Sequence, residues 1–307
     1  MRFFQSLSSY HQGFVYVTLG ILFFSCKGIL IKLAYQWQVE ATVLMTLRML
    51  MALPFYIAIM IKASVRHDYR QTSRKHLCAT GLFGVLGYYM ASWLDLKGLE
   101  YLPASLERLI LYSYPSMVLI LAVIFLKQPF NSKHGISLIL IYSGLFSVFS
   151  IDLLQFESSN SALLTGALYI FASAFAFAIY LLGAEVMMRN LSSQLFTIVA
   201  MLSASLMILI HFFYCYPLAV LFEQAWLVYV YSALIAFFCT VLPSFLVSSG
   251  IQRVGASTGS MVGGLSPILT LILAVLFLDE SITAFQALGF LIVIVGVLNL
   301  SRIKPVK

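Results

Sequence analysis

Four charges embedded in apolar sequence are the residues best placed to do chemistry: Lys27, Arg48, Glu107 and Arg108. A charge at the bilayer centre costs at least about 2.5–3.5 kcal/mol even on the lenient insertion scale. Two roles account for such a cluster. In the first it is structural: Glu107 pairs with Arg48 or Lys27, and Arg108 snorkels outward along its aliphatic stem. In the second the four face a cavity, where they bind or gate a substrate. Three cations against one acid leave a positive excess, which suits a carboxylate or phosphate on that substrate.

Aromatic residues stand in the same segments. Tyr88, Tyr89 and Trp93 fall in one apolar run, Tyr112 and Tyr114 in the next, and Tyr180 further along. Tyr89 and Trp93 are four apart and share a helix face, as do Arg108 and Tyr112. A tyrosine at mid-depth must find a hydrogen-bond partner. A polar cavity supplies one, and so does contact between helices. Trp93 also suits the aromatic belt near a membrane surface. Tyr88, Tyr89, Trp93, Tyr112 and Tyr180 thus join the four charges as candidate substrate-binding residues. The histidines and the four cysteines form no metal-ligand pattern, so no metal and no cofactor are expected.

These residues must be held by membrane-spanning helices. The chain has 307 residues, of which 62% are hydrophobic and 9% charged. Soluble domains are about 25% charged, so this composition cannot cover a soluble globule. The formal net charge of +7 is spread too thinly for a nucleic-acid face. A helical span needs about 20 apolar residues. The chain holds ten candidate spans, near 13–34, 40–62, 76–95, 102–126, 134–151, 163–188, 193–214, 225–247, 255–278 and 282–301. The apolar run from Gly13 is too long for a cleavable signal peptide and is itself read as a span.

Basic residues gather in cytoplasmic loops. With the N-terminus inside, 13 of the 18 Lys and Arg fall on that side, including Arg66, Arg70, Arg74, Lys75, Lys127, Lys133, Arg189 and Arg253. The outer loops then carry Glu40, Asp95, Glu100, Asp152, Glu157, Glu223, Asp279 and Glu280. Both termini are therefore expected to be cytoplasmic, in a multi-pass protein of a cell membrane of the bacterial inner-membrane kind.

The chain also repeats itself. A shift of 152 residues lays segment 98–126 on segment 250–278, with 11 of 29 positions identical. Gly98 meets Gly250, Ala104-Ser105 meets Ala256-Ser257, and Pro115 meets Pro267. Gly144 and Gly296 hold the same register. Five spans is an odd number, so the second copy must run through the membrane inverted. The loops agree: Lys127 and Lys133 come after span 4, whereas Asp279 and Glu280 come after span 9. Inverted repeats are a mark of secondary transporters, whose substrate site lies where the halves meet. The expected fold is an all-α membrane protein of ten transmembrane helices in two inverted five-helix repeats. The units are 1–151 and 163–303, joined by an outer linker, 152–162.

Glycine and proline supply the points of close packing and bending. Gly81, Gly84 and Gly87 recur every three residues and leave a groove for a neighbouring helix. Gly255, Gly259 and Gly263 recur every four. Pro115 and Pro267 each remove a backbone donor in mid-span and are expected to make paired bends. Gly84, Pro115, Gly263 and Pro267 are the candidate hinge and packing positions.

The small pair, the proline and the exit sequence of spans 4 and 9 resemble the drug/metabolite transporters of the ten-helix EamA type. The second copy ends Phe277-Leu278-Asp279-Glu280, close to the F-L-G-E of that family. The first ends Phe125-Leu126-Lys127-Gln128 and lacks the acid. Lys27-Gly28 stands where the family often has Trp-Gly. The resemblance covers nearly the whole chain. It implies secondary transport, often export, of small metabolites such as amino acids or related compounds by alternating access. The partners expected are a small-molecule substrate and the lipid bilayer, with no nucleic acid, in a monomer or homodimer. The alternative is a polytopic membrane enzyme acting on a lipid-linked substrate. Neither HExxH nor DxD occurs to support it, and no phosphate-binding GxxxxGK[ST] loop points to ATP.

Overall fold

The computed structural model describes residues 8–102, 107, 110–128, 132–155, 160–278 and 284–301, and among them every regular element is helical. Hydrocarbon cannot hydrogen-bond a backbone, so an apolar chain satisfies its own N–H and C=O groups in helices. Serine marks several starts. Ser8, Ser73 and Ser192 each accept a hydrogen bond from a backbone N–H in the first turn of the helix they precede.

In the first half α1 (Ser9–Ser25) and α2 (Lys27–Tyr35) meet at Cys26. Next come α3 (Ala41–Met60), the short α4 (Ala63–Gln71) and α5 (Arg74–Gly84). A π-helical turn, Val85–Met90, joins α5 to α6 (Ala91–Tyr101). After it come α7 (Tyr114–Leu126) and α8 (Ser132–Gln155). The second half holds α9 (Asn160–Met187), α10 (Ser193–Cys215) and α11 (Trp226–Ala236). A second π-helical turn, Phe237–Val241, leads into α12 (Leu242–Val254). The chain continues through α13 (Ala256–Val262), α14 (Leu265–Leu278) and α15 (Ala284–Ser301). Among the described residues six helical stretches are long and apolar enough to cross a membrane: Ser9–Tyr35, Ala41–Met60, Arg74–Tyr101, Leu164–Met187, Ser193–Cys215 and Trp226–Val254.

Polarity is turned inside out. Phe125, Ile139, Phe146, Leu276 and Leu291 are exposed, whereas Ser25, Thr46, Thr80, Ser173 and Thr197 are buried. In water such a surface would aggregate; in lipid it is the matched solvent. This is a multi-pass membrane protein.

Packing obeys the 152-residue shift. Helix α12 lies along α1, and α9 lies along α6, its equivalent pair. Gly250 sits against Val17 and Gly13, and Gly98 against Ile170 and Gly166. Helices α8 and α15 pack on one another reciprocally, with Gly144 against Gly289 and Val293, and Gly296 against Leu140 and Ile141. Even the irregular turns repeat: Val85 and Phe237, where the π-helical turns start, are 152 residues apart.

Two sequence expectations need correction. Helix runs on through Tyr101, so Asp95 is not a loop residue but an interior one, 2% exposed. The segment carrying Arg66, Arg70, Arg74 and Lys75, expected as a cytoplasmic loop, is not simply a loop: Arg66 and Arg70 lie in α4, and Arg74 and Lys75 open α5.

Candidate functional site

A cavity of about 120 Å³ lies between the halves. Its charged wall comes from three helices of the first half. Lys27 opens α2, and its Nζ stands 2.6 Å from Oδ2 of Asp95 in α6. Arg48 sits within α3, only 4% exposed, on the same wall. Its Nε has no hydrogen-bond partner among the described residues.

The π-helical turns aim the wall. Such a turn inserts one residue into the α-helical register and rotates the rest of the helix, and it recurs at functional sites. After the first turn begins, Gly87, Tyr88, Ala91, Ser92 and Asp95 all face the cavity. The second turn contributes Cys239 and Thr240. These are the equivalents of Gly87 and Tyr88 under the repeat shift. The relation extends around the wall: Ile21 and Ser173, Asp95 and Val247, Leu111 and Gly263, and Tyr114 and Ser266 are further lining pairs at that spacing. The shape is pseudo-symmetric, but the charge is not. The equivalents of Arg48 and Asp95 are Ala200 and Val247.

Two helix breaks complete the wall. Pro115 is the second residue of α7 and Pro267 the third of α14. Proline lacks an N–H, and its ring clashes with the carbonyl four residues back, but it is tolerated in a helix's first turn. The helices accordingly break just before each proline, at Tyr112-Ser113 and Gly263-Gly264. The expected mid-span bends are short turns between two helices, with Ser113 and Gly263 still in right-handed helical conformation and tighter hydrogen bonds three residues apart, such as Ser113 N–H to Ile110 (3.0 Å) and Gly263 N–H to Ser260 (3.0 Å). They also touch: the Tyr112 hydroxyl donates to the Met261 carbonyl (2.7 Å) and the Tyr114 hydroxyl to the Ser260 carbonyl (3.1 Å). Gly263 leaves the room for the Tyr114 hydroxyl that a Cβ would take.

Of the residues singled out by sequence, Lys27, Arg48, Tyr88 and Tyr112 line this cavity. Tyr180 stands one layer behind, its hydroxyl donating to that of Tyr88 (3.3 Å) and its ring filling the space left by Gly87. Tyr89 and Trp93 do share a face, but it is turned to His211 on α10. Glu107 is fully buried but is not part of the wall, and its charge acts on Lys32. The acid that pairs with Lys27 is Asp95 rather than Glu107. Arg108 lies outside the described residues. Tyr114 and Gly263, both named from the sequence, line the cavity as well, whereas Asp95, Thr240 and Ser260 line it without having been singled out. Asp95 lies eight residues after Gly87, two turns down the same face. Gly84 serves packing: a Cβ there would collide with the backbone of Ala200 on α10.

Segment 255–259 spells G-x-S-x-G, the pattern of a hydrolase nucleophile elbow. That elbow joins a strand to a helix. Here the segment begins α13, directly after α12, and the Ser257 hydroxyl donates to Gln128 Oε1 (3.4 Å).

The chain matches the EamA-like transporter family over residues 11–150 and 164–302. It belongs to that family. It is 25% identical over 290 residues to the uncharacterized transporter YcbK of Bacillus subtilis (strain 168), covering 90% of this chain and 88% of that one. It is 27% identical over 234 residues to the uncharacterized transporter YyaM of the same organism, covering 75% of each. A solved crystal structure superposes with a TM-score of 0.74 at 14% identity, covering 94% of this chain and 96% of the other, which supports the fold alone. The protein is a membrane transporter of the EamA-like family, consistent with the wider drug/metabolite transporter group.

Proposed function

We propose that this EamA-like transporter is a secondary exporter of small polar metabolites such as amino acids or related organic compounds. It works by alternating access between two inverted five-helix repeats, ten spans in all, with both termini in the cytoplasm of a bacterial-type cell. The observation that carries this reading is the cavity itself. It lies between the halves, is walled by pairs of repeat-related positions, and is bordered by interrupted helices, the arrangement through which transporters bind and release solutes. Lys27, Arg48, Tyr88 and Tyr112 contact the solute. Tyr180 positions Tyr88, and the breaks before Pro115 and Pro267 let the two halves rock. The experiment is counterflow in proteoliposomes loaded with amino acids, nucleosides or organic anions. Labelled solute should accumulate against an excess of its unlabelled form inside. Absence of flux across the whole panel, with protein correctly inserted, would refute the reading.

A further inference from the structure

We infer that the cavity takes a small organic monocarboxylate with an apolar body, its carboxylate anchored on the guanidinium of Arg48. This rests on the transport reading, which it narrows to one class of solute. The cavity wall carries two cations and one acid among its described residues. Lys27 and Asp95 neutralise one another at 2.6 Å. The excess positive charge therefore sits on Arg48, where no described carboxylate comes within ion-pair distance. Glu107, the acid expected to serve it, is outside the wall.

A buried guanidinium with no ion-pair partner among the described residues is costly, and its planar fork matches a carboxylate bidentately. A monoanion brings the wall to neutrality. A dicarboxylate or phosphate dianion overshoots it. The rest of the wall suits an apolar body, with Phe24, Leu111, Phe177 and Leu181 facing inward. Asp95 is already held by Lys27, so an ammonium group on the solute gains no free acid there. The site should therefore favour an acid over the amino acid of the same skeleton.

The test compares four solutes sharing one branched chain: 4-methyl-2-oxopentanoate, leucine, 4-methylpentylamine and 4-methylpentan-1-ol. Binding to purified protein in nanodiscs is measured by calorimetry, and counterflow in proteoliposomes with labelled 4-methyl-2-oxopentanoate. The oxo acid should bind about tenfold more tightly than leucine and more tightly still than the amine or alcohol. Arg48→Gln should weaken oxo-acid binding about tenfold, with Arg48→Lys intermediate. Equal or tighter binding of leucine, the amine or the alcohol would overturn the inference, and this comparison needs only the wild-type protein. Undiminished oxo-acid binding by folded Arg48→Gln protein would overturn it too. Flux of another solute that the oxo acid does not inhibit sinks the inference while leaving transport intact. Arg48-dependent binding of the oxo acid without flux of any solute supports the site but removes the transport reading.

Discussion

At the scale of single residues, the Lys27–Asp95 pair is the sharpest feature. Both groups are shielded from solvent, with side-chain exposures of 13% and 3%. Removing one partner from a buried pair costs on the order of 3–5 kcal/mol, whereas replacing both with apolar residues is often neutral. Asp95→Leu should therefore lower the thermal stability of the solubilised protein sharply. Lys27→Met combined with Asp95→Leu should restore most of it. A double variant as unstable as the sum of the single ones would mean that the two groups do not act as a pair. Arg48 behaves differently. It has no ion-pair partner to lose among the described residues, so Arg48→Ala should depress transport while leaving the amount of folded protein near normal, measured by counterflow and by size-exclusion yield.

At the scale of elements, the interrupted helices carry the argument. Pro115 and Pro267 supply no N–H to the carbonyls four residues back, those of Leu111 and Gly263, and the Gly263 carbonyl accepts instead from the Ser266 N–H (2.8 Å), closing a tight turn at the break. Pro267→Ala restores the donor, and the segment from α13 into α14 should become more continuous. Transport should fall while thermal stability holds or rises; unchanged flux would show the break to be dispensable. The two linkers between the spans are held by opposite charges. Lys32 Nζ donates to the carbonyls of Leu99 (2.8 Å) and Leu102 (2.9 Å) at the end of α6. At the equivalent junction of the second half, Glu185 accepts from the Ala256 N–H (2.7 Å) and from Gln128 Nε2 (2.8 Å). A cation caps exposed carbonyls, and an anion caps exposed N–H groups, as the partial charges of helix ends require. Helix contact depends on glycine as well. Gly84→Leu should strongly reduce the yield of folded protein, because the side chain would have to displace the backbone of α10. A normal yield and melting curve would count against this packing.

At the scale of the whole molecule, the repeat and its proposed inversion make one topological prediction. Positions 127 and 279 are equivalent by the repeat shift but should lie on opposite faces of the membrane. Single cysteines placed there, with Cys26, Cys78, Cys215 and Cys239 replaced, should react with an impermeant thiol reagent from opposite sides. Labelling of both from the same side would exclude inversion. The positive charges of Arg70, Arg74, Arg189 and Arg253 set the expected sidedness, with position 127 inside.

Much of this was legible in the sequence, because hydrophobicity, glycine spacing and proline act locally or through composition. The apolar runs dictated helices, since lipid leaves a backbone no other partner, and the 152-residue shift announced paired halves and paired prolines. The charges Lys27 and Arg48 could be flagged because an ion in an apolar run is costly wherever it points. Their partners were another matter. Pairing Lys27 with Asp95 rather than Glu107 depends on how α2 meets α6 across 68 positions of chain, and no local pattern encodes that distance. Tyr88 faces the cavity and its neighbour Tyr89 faces His211 because the π-helical turn sets the rotation of that face. The sequence by itself therefore determined a two-fold helical membrane protein with ions inside it. Only the tertiary structure decided which ions neutralise one another and left Arg48 facing the cavity, because charge compensation is a property of distances between helices.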